Sequence, residues 1–320
     1  MVAVGGTTTN SVLMTSRTVG IVAEPSPDAR PGEIDERPGA RELRAWYRGR
    51  ARLYPWRRGI RDPYRILVCE FMAQQTQAAR VVAAFDAWIE RFPTVHVLAD
   101  VSRAEVLRAW QGLGYNRRAI ALHEAARVIV ADHGGEVPGD VDALRSLPGV
   151  GPYTAAAVAS IAFGVPVVAM DTNIRRVAAR VLHGLEPDEL SPAQLRGDAQ
   201  AWLDPSDPGA WNQAVMDVGA SLCRPRSPRC GDCPLQEVCA FRAKGRQGRS
   251  SVRPQPAFEG SFRQVRGSLV RALSRSGPRS LPALAVQLGE GSARLAEAAD
   301  HLIRDGLLER TSTGELRLKE

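Results

Sequence analysis

Four of the five cysteines lie within one short loop, in the pattern Cys223-x6-Cys230-x2-Cys233-x5-Cys239, while the fifth, Cys69, stands alone in an apolar segment. This spacing strongly constrains the fold, because four thiols from one loop must converge on whatever they bind. In a reducing compartment such clustering favours a metal or cluster site over disulfides. A structural zinc site more often uses two separated Cys-x2-Cys pairs, whereas one compact loop suits an iron–sulfur cube. The spacing therefore predicts a [4Fe-4S] cluster, with zinc as the alternative.

The chain is basic, with 42 Lys and Arg residues against 35 Asp and Glu, a formal net charge of +7. That excess suits a polyanionic partner such as nucleic acid. Only Lys244 and Lys319 are lysines; the arginine bias suits bidentate phosphate contacts but is equally expected of a GC-rich coding sequence. No apolar run approaches the roughly 20 residues of a membrane helix, and the amino terminus lacks the basic and apolar regions of a secretory signal. We expect a cytoplasmic protein that does not associate with a membrane.

Helical periodicity dominates the middle of the chain. From Ala40 to about Arg242 the apolar residues recur every three or four positions, and alternating strand patterns are scarce. Residues 1–38, rich in Thr, Ser, Gly, Pro and charge, are predicted to form a disordered tail. The periodicity predicts helices over 41–50, 63–75, 77–91, 102–111, 116–132, 140–146, 153–163, 172–183, 192–203 and 208–221.

A second, smaller unit follows a predicted linker over 244–257, which is rich in cations and proline and has no apolar face. Helical patterns at 261–275, 281–288 and 292–305 precede two short strands around a turn at Thr313–Gly314. Three helices and a hairpin predict a winged-helix-like domain over 258–320. Such a domain can bind DNA or serve as an interaction module, and the fold alone does not decide between them.

The segment Leu147-Pro-Gly-Val-Gly-Pro-Tyr-Thr-Ala155 is a tight glycine turn between two predicted helices. Gly149 and Gly151 permit positive φ and close approach, so that amides entering the helix from Tyr153 can face a phosphate. A plain connection between two helices is the alternative. Twenty residues beyond Gly151 an apolar run ends in Asp171, where a helix N-cap is expected.

Glu70 lies in the segment Cys-Glu-Phe-Met-Ala-Gln-Gln-Thr-Gln77, with apolar residues on both sides. Burial disfavours the charged form of a carboxylate, so Glu70 is a candidate general acid; a structural ion pair with an arginine is the alternative. Glu70 and Asp171 together supply the two carboxylates that N-glycosidic cleavage requires. One protonates the leaving base, and the other opposes the positive charge that grows on the sugar.

The hairpin LPGVGPYTAAAV, Asp171 and the four-cysteine loop resemble the helix-hairpin-helix DNA glycosylases related to endonuclease III, and CEFMAQQTQ with GLGY at 112–115 resembles the MutY adenine glycosylases. The resemblance covers about 40–242. It implies an all-α fold, in which a six-helix barrel over 63–167 packs against an iron–sulfur domain formed by 39–62 and 168–243. It also implies a monomeric enzyme that binds double-stranded DNA with an adenine mismatch and flips the target base out of the duplex.

The same resemblance implies roles for individual residues. Glu70 protonates adenine at N7 and later activates water, and Asp171 stabilises the oxocarbenium ion, either directly or through a covalent glycosyl intermediate. Tyr153 stands where bifunctional relatives place a Schiff-base lysine, which implies an enzyme without amine-based strand cleavage. Trp56 and Arg57 resemble the entrance of the adenine pocket, and Gln75 and Tyr115 resemble residues that fill or wedge the duplex. Further residues expected at the DNA or base are Gln74, Thr76, Gly149, Gly151, Thr154, Asn173, Arg224, Arg226 and Arg229.

Three features depart from the family pattern. Ala73 stands where the family has leucine in MLQQTQ, and Asn116 replaces the second aromatic residue of GLGYY. About 60 residues follow the predicted linker, too few for the Nudix-like domain that reads 8-oxoguanine opposite the adenine. A thymine or uracil mismatch glycosylase and a non-catalytic iron–sulfur DNA-binding regulator therefore remain alternatives to an adenine glycosylase acting opposite 8-oxoguanine or guanine.

Overall fold

The computed structural model describes residues 37–58, 61–249 and 256–320. The predicted tail thus lies, up to residue 36, outside the described residues. The described residues form α-helices joined by short turns, with one small sheet near the carboxyl end. The helices are α1 Ala40–Arg50, α2 Pro63–Ala73, α3 Ala78–Arg91, α4 Val95–Asp100, α5 Arg103–Ala109, α6 Arg117–Asp132, α7 Val141–Ser146, α8 Pro152–Phe163, α9 Thr172–Ala178, α10 Pro192–Trp202, α11 Pro208–Ser221, α12 Ala240–Ala243, α13 Phe262–Ser276, α14 Leu281–Leu288 and α15 Ser292–Arg304, and the strands are β1 Leu308–Arg310 and β2 Leu316–Leu318.

The all-α prediction is confirmed, with three local differences, one of which is the unpredicted four-residue helix α12 after Cys239. The periodicity missed α4, whose six residues are too few to show a period; it follows Pro93 and is capped by the Thr94 hydroxyl, which accepts from Val97 N. The helix predicted over 172–183 is α-helical only to Ala178 and continues as a π turn over Ala179–His183. Such turns shift the helical phase of the side chains that follow.

Two separate apolar cores organise the described chain. The first is formed by the helices from α2 to α8, continues into the apolar residues of α13 to β2, and contains Trp88 and Trp110, whose ring centroids lie 5.3 Å apart, edge to face. The second joins α1 to α9, α10 and α11 around Trp202 and Trp211, at 5.2 Å. Small side chains in α8 (Ala155, Ala156, Ala157, Val158, Ala159) let it sit buried against α2 and α11. Helix α8 thereby brings the residues of the two cores close together.

The carboxyl-terminal helices and hairpin form the predicted winged-helix-like unit, and they are docked on the first core. Strands β1 and β2 pair antiparallel, with Leu308 opposite Leu318, and Arg279 bridges to Leu316 as a third short strand. Helix α13 and strand β2 contact α5. The Gln111 side chain at the end of α5 donates to the Ser274 hydroxyl at 3.2 Å. The unit is therefore held against the barrel by apolar packing as well as by the chain connection.

The first residues of the predicted linker lie along the second core. Lys244 Nζ donates to the His183 carbonyl at 2.8 Å, Arg246 pairs with Glu189 at 2.8 Å and Arg249 pairs with Asp188 at 3.0 Å. Cations that look like those of a solvated linker in the sequence thus have partners far away in the chain, a carbonyl for Lys244 and carboxylates for Arg246 and Arg249. Residues 250–255 lie outside the described part. In the described residues no helix has the length and apolar character needed to cross a membrane.

Candidate active site and cluster site

Glu70 occupies the buried face of α2, with 9% of its surface exposed, and among the described residues its Oε2 atom has no hydrogen-bond partner. Burial raises the pKa of Glu70 from 4.5 to about 7; the Tyr153 hydroxyl opposes the rise, the Asp171 charge adds to it and the Arg57 charge opposes it. A carboxyl with that pKa is substantially protonated at neutral pH. It can therefore donate a proton.

Asp171 is the N-cap of α9, in extended conformation. Its Oδ1 accepts from Ile174 N at 2.6 Å and its Oδ2 accepts from Asn173 Nδ2 at 2.7 Å. Burial raises the pKa of Asp171, and those hydrogen bonds, led by the Ile174 amide, oppose the rise. Hydrogen bonds to the ionised form favour a carboxylate. The two carboxyl groups thus sit in different environments, one without a partner and one held by donors.

The extended run that ends at Asp171 is fixed by Asn212 of α11, a residue the sequence interpretation missed. Asn212 is fully buried; its amide donates to the Val167 carbonyl at 3.0 Å, and its Oδ1 accepts from Ala169 N at 2.8 Å. A buried asparagine that accepts from an N–H and donates to a C=O of the same extended segment fixes the position of that segment. An Asn within the apolar pattern of α11 was the available signal in the sequence.

Tyr153, near the start of α8, lies beside both carboxyl groups. Burial raises the pKa of Tyr153 well above 10, and the charges of Glu70 and Asp171 raise it further. Its hydroxyl faces Met216 Sδ at 3.9 Å. The phenol therefore stays protonated and neutral, which makes it a hydrogen-bond donor in the site and not a nucleophile.

Arg57 lies close enough to Glu70 for its charge to lower the pKa of that carboxyl, and it pairs with a carboxylate that the sequence interpretation missed. Arg57 Nη1 lies 2.7 Å from Asp217 Oδ2, and Nη2 lies 3.3 Å from Oδ1. The ring of Trp56 stacks on that of Tyr54, with centroids 4.6 Å apart. Asp217 is 4% exposed in α11, so its charge is compensated by this bidentate pair. The separation of 160 residues between Arg57 and Asp217 hid the pair from sequence reasoning.

Gln75 and Tyr115 lie in two neighbouring loops and share an unusual backbone. They are the non-glycine residues with positive φ in the described chain, at 54° and 46°. Such conformations cost free energy and concentrate at functional sites. Tyr115 is 44% exposed. The structure thus presents the two predicted wedge residues on adjacent loops, with Thr76 between them, its hydroxyl 3.4 Å from the Leu113 carbonyl.

Arg118 of α6 joins those two loops, and the sequence interpretation missed it. One guanidinium nitrogen donates to the carbonyls of Phe71 at 2.9 Å, Met72 at 3.0 Å and Gln74; the other donates to Thr76 Oγ1 at 2.9 Å and to the carbonyls of Leu113 and Gly114 at 3.2 Å. Burial lowers the pKa of Arg118 to about 10. The buried charge is thus compensated by backbone oxygens at the end of α2 and in the loop before α6.

The glycine hairpin differs from the expectation in two respects. Gly149 has φ 75°, and a side chain there would collide with Phe71 and Ala121, but Gly151 has φ −87° and is the N-cap of α8. The expectation of a positive φ at Gly151 is therefore wrong, because a helix N-cap takes an ordinary extended backbone. Thr154 is 3% exposed and accepts from Gln74 Nε2 at 3.3 Å. Thr154 is therefore a buried hydrogen-bond partner of the loop that begins at Gln74, and it does not lie on the surface.

The four loop cysteines are free thiols that line a single cavity, with Arg180 and apolar side chains around them. Burial raises the pKa of Cys233 to about 12; the Leu235 amide opposes the rise, and the charges of the other three cysteines add to it. Four thiolates so close together need a cationic centre to neutralise them. No group of three or more His, Cys, Asp or Glu side chains in the described residues is arranged for a single metal ion. The donor set suits a multinuclear cluster with one cysteine at each iron.

The arginines between the first two cysteines lie on the surface, as predicted for a phosphate contact. Arg224, Arg226 and Arg229 are all exposed. Arg229 pairs with Asp232 at 2.6 Å and Arg224 Nε donates to the Ser221 carbonyl at 3.1 Å, whereas Arg226 makes no hydrogen bond or ion pair with the described residues. This loop presents positive charge next to the cluster cavity.

Hydrogen bonds connect the cluster loop to Asp171. Arg176 Nε donates to the Cys223 carbonyl at 2.7 Å, and its Nη2 donates to Asn173 Oδ1 at 2.8 Å. Asn173 in turn donates to Asp171. The Asn173 side chain thus links Asp171 to Arg176, and it retains one N–H of Nδ2 for the contact with DNA expected from the sequence.

Two protein-family models match this chain, one over the carboxyl groups and one over the cysteine loop. Residues 68–203 match the model of the HhH-GPD superfamily base excision DNA repair proteins, and residues 223–239 match the iron–sulfur binding domain of endonuclease III. The second match confirms the prediction of an iron–sulfur cluster over zinc. The first covers Glu70, the hairpin and Asp171.

Similar proteins include adenine DNA glycosylases. That of Mycolicibacterium smegmatis is 44% identical, over 87% of this chain and 94% of the relative; that of Mycobacterium tuberculosis is 43% identical, over 86% and 92%. The human adenine DNA glycosylase is 42% identical, over 64% of this chain and 39% of its own length. Among solved structures, a thermostable thymine-DNA glycosylase superposes with a TM-score of 0.59 at 31% identity, and endonuclease III in a non-covalent DNA complex with 0.55 at 26%; each covers 64% of this chain and 94% of the other.

Proposed function

Because the chain belongs to the adenine DNA glycosylases of the HhH-GPD superfamily, we propose that it hydrolyses the N-glycosidic bond of adenine mispaired with 8-oxoguanine or guanine. It is an enzyme of base excision repair. The observation that carries the proposal is the pair of unlike carboxyl groups, buried Glu70 and half-buried Asp171, with the Tyr153 phenol beside them. The substrate is double-stranded DNA, bound by a monomer at the cytoplasmic nucleoid.

Glu70 acts as the general acid. Adenine is a poor leaving group as an anion, so protonation at N7 lets it depart neutral. A carboxyl with a pKa of about 7 holds its proton at neutral pH and gives it up readily when a base is presented. After adenine leaves, the Glu70 carboxylate accepts a proton from the water that attacks the sugar. The free Oε2 atom of Glu70 is the acceptor available for that step.

Asp171 stabilises the cationic sugar. Its carboxylate is fixed by the Ile174 amide and the Asn173 side chain, so it need not reorganise when positive charge develops. The Tyr153 phenol donates a hydrogen bond within the site and cannot form a Schiff base. The chain's two lysines, Lys244 and Lys319, both lie outside this site. These features support a glycosylase without amine-based strand cleavage.

The DNA-facing residues of the proposal come from the two wedge loops, the glycine hairpin and the cysteine loop. Gln75 and Tyr115 enter the duplex, the hairpin amides around Gly149 face a phosphate, and the exposed arginines of 224–229 extend the positive surface. The Arg57–Asp217 pair and Trp56 line the path of the flipped base. Cys223, Cys230, Cys233 and Cys239 would hold the cluster, which when bound cross-links the loop that carries these arginines.

The test is a glycosylase assay on duplexes with A:8-oxoG, A:G, A:C, T:G and U:G pairs, scored for abasic sites with and without alkali. The proposal expects release of adenine opposite 8-oxoG and G, and strand breaks only after alkali. The thymine-DNA glycosylase among the structural neighbours makes T:G the informative competitor. Excision from T:G or U:G without excision from the adenine pairs contradicts the proposal, and so does tight duplex binding with no base release.

A further inference from the structure

A cleft of about 530 Å³ lies at the seam between the barrel and the carboxyl-terminal unit. One wall is formed by Gln74 at the end of α2, by Arg117 and Arg118 at the start of α6 and by Gly149 of the hairpin. The opposite wall is the segment Arg304–Gly306, which ends α15. Neither domain forms this cleft alone.

The cleft is positively charged: Arg103, Arg117, Arg118 and Arg304 line it, against Glu124 and Asp305. Arg103 forms an ion pair with Glu124 at 2.8 Å. Asp305 forms an ion pair with Arg266, which does not line the cleft. Arg117 remains 74% exposed and lies 3.6 Å from Asp305, a loose contact. Arg304 is exposed and makes no hydrogen bond or ion pair with the described residues. Two guanidinium groups, from Arg117 and Arg304, are thus available to an anion from outside.

The position of the cleft specifies which anion reaches it. Arg117 follows the wedge residue Tyr115 by two positions, so their Cα atoms are at most about 7.6 Å apart. Successive nucleotides of one strand rise by about 3.4 Å. A duplex entered by Tyr115 therefore carries a backbone phosphate over Arg117 within about three nucleotides of the mismatch.

The winged-helix unit is poorly suited to bind DNA in the usual way. In winged-helix and helix-turn-helix proteins the last helix enters the major groove. Here the exposed face of α15 carries Glu297 and Asp300, and Asp300 lies 3.4 Å from Arg310. Acidic side chains on that face repel phosphates. The cation of α15 that remains available is Arg304, at its end, and this residue faces the barrel across the cleft.

We propose that this interdomain cleft binds a backbone phosphate of the substrate duplex through Arg117 and Arg304. The carboxyl-terminal unit thus takes part in DNA binding through the end of α15 and not through the exposed face of that helix. The inference rests on the proposed function, since it requires DNA to lie across the wedge residues. The docked position of the carboxyl-terminal unit is then needed for DNA binding, because docking brings Arg304 opposite Arg117.

The first test compares Arg304→Ala and Arg117→Ala with Arg275→Ala, an exposed arginine of α13 that does not line the cleft. Binding of an A:8-oxoG duplex is measured as a function of salt. Each lost phosphate contact flattens the slope of log affinity against log salt by about 0.9. We expect that change for each cleft variant and none for Arg275→Ala. A loss confined to Arg275→Ala, or equal slopes in all variants, overturns the proposal.

The second test locates the phosphate. A neutral methylphosphonate is placed at each position within about three nucleotides of the mismatch, in either strand. One position should weaken wild-type binding and have no further effect on the double variant Arg117→Ala/Arg304→Ala, in which both cations that hold the phosphate are removed. If no position removes the difference between the two proteins, the cleft does not hold a phosphate. Wild-type adenine release on the unmodified duplex is measured alongside, so failure of this inference is distinguishable from failure of the proposed function.

Discussion

The guanidinium carbon of Arg118 lies 5.4 Å from the ring centroid of Tyr115, and the same group bonds the loop that carries Gln75. Two residues with strained backbones are thus held by one cation that reaches both loops. Because Arg118 bonds both the loop after α2 and the loop before α6, the two loops are fixed relative to each other. We expect that Arg118 holds both predicted wedge residues in place before DNA binds, so that they are ordered during folding and not during binding.

Arg118→Lys should slow adenine excision with little effect on the cluster. A lysine ammonium cannot reach carbonyls on both loops as the planar guanidinium does. Each residue with a strained backbone stores about 1–3 kcal/mol. If the substitution lets the loops relax by about 1–2 kcal/mol, the excision rate should fall by roughly 5- to 30-fold. Single-turnover excision and duplex affinity are the measurements. Arg108→Lys, an exposed arginine of α5, is the matched control; equal rates for the two variants would exclude the positioning role.

The excision rate should fall as the pH rises above about 7. The pKa of Glu70 is raised to about 7, and only its protonated form can act as the general acid. Single-turnover rates at saturating enzyme, measured from about pH 5.5 to about pH 9, report this limb. Glu70→Gln should be slower by about 10²- to 10⁴-fold and lack the limb. A variant that retains the same limb would point to another acid.

Glu70→Gln should also stabilise the folded protein at neutral and higher pH. A raised folded-state pKa means that Glu70 contributes stability below its unfolded value of about 4.5, and that this is lost as the pH rises through about 7. A tenfold change in proton affinity is about 1.4 kcal/mol, so the buried carboxylate costs the fold up to ~3 kcal/mol at high pH. Thermal unfolding of both proteins across this range is the measurement. The difference should shrink toward pH ~4, and a difference independent of pH would contradict the argument.

Asp171→Asn and Asp171→Ala separate catalysis from capping. Asparagine is as good an N-cap as aspartate, so Asp171→Asn should unfold like the wild type, whereas Asp171→Ala should lose about 1 kcal/mol. Both should lose excision, because neither supplies a negative charge to the sugar cation. Duplex binding should stay within a few-fold for Asp171→Asn. Near-normal single-turnover excision by Asp171→Asn would remove this carboxylate from the mechanism.

Cys230→Ser should reduce the iron content and weaken DNA binding more than it slows the chemical step. Loss of one thiolate removes a cluster attachment from the loop that carries Arg224, Arg226 and Arg229. The hydrogen bond from Ile174 N to the Asp171 carboxylate does not depend on that loop and is retained. Iron analysis and visible absorbance after anaerobic preparation are the readouts. Cys69→Ala, at the cysteine outside the cluster cavity, should retain the iron. Zinc without iron in the wild-type protein would contradict the cluster assignment.

Local features of the sequence were sufficient for the helices, the cluster and the two carboxyl groups. Helices α3, α13 and α15 have apolar periods that extend over three or more turns, and the cysteine spacing lies within one loop. Glu70 stands out because it is charged among apolar neighbours, and Asp171 because it ends an apolar run before a helix. Each of these signals is contained in a window of about a dozen residues.

Tertiary structure alone decided what surrounds those residues. The pairing of Arg57 with Asp217, the bonds of Asn212 to the run before Asp171 and the docking of the carboxyl-terminal unit all join residues more than 40 positions apart. The pKa of Glu70 depends on burial by such distant segments. Long-range packing leaves no periodic mark in a sequence, since any pair of helices with matching apolar faces can in principle meet. The sequence therefore predicted a candidate acid and a candidate carboxylate, and only the fold determined the burial and hydrogen bonds that set the pKa of each.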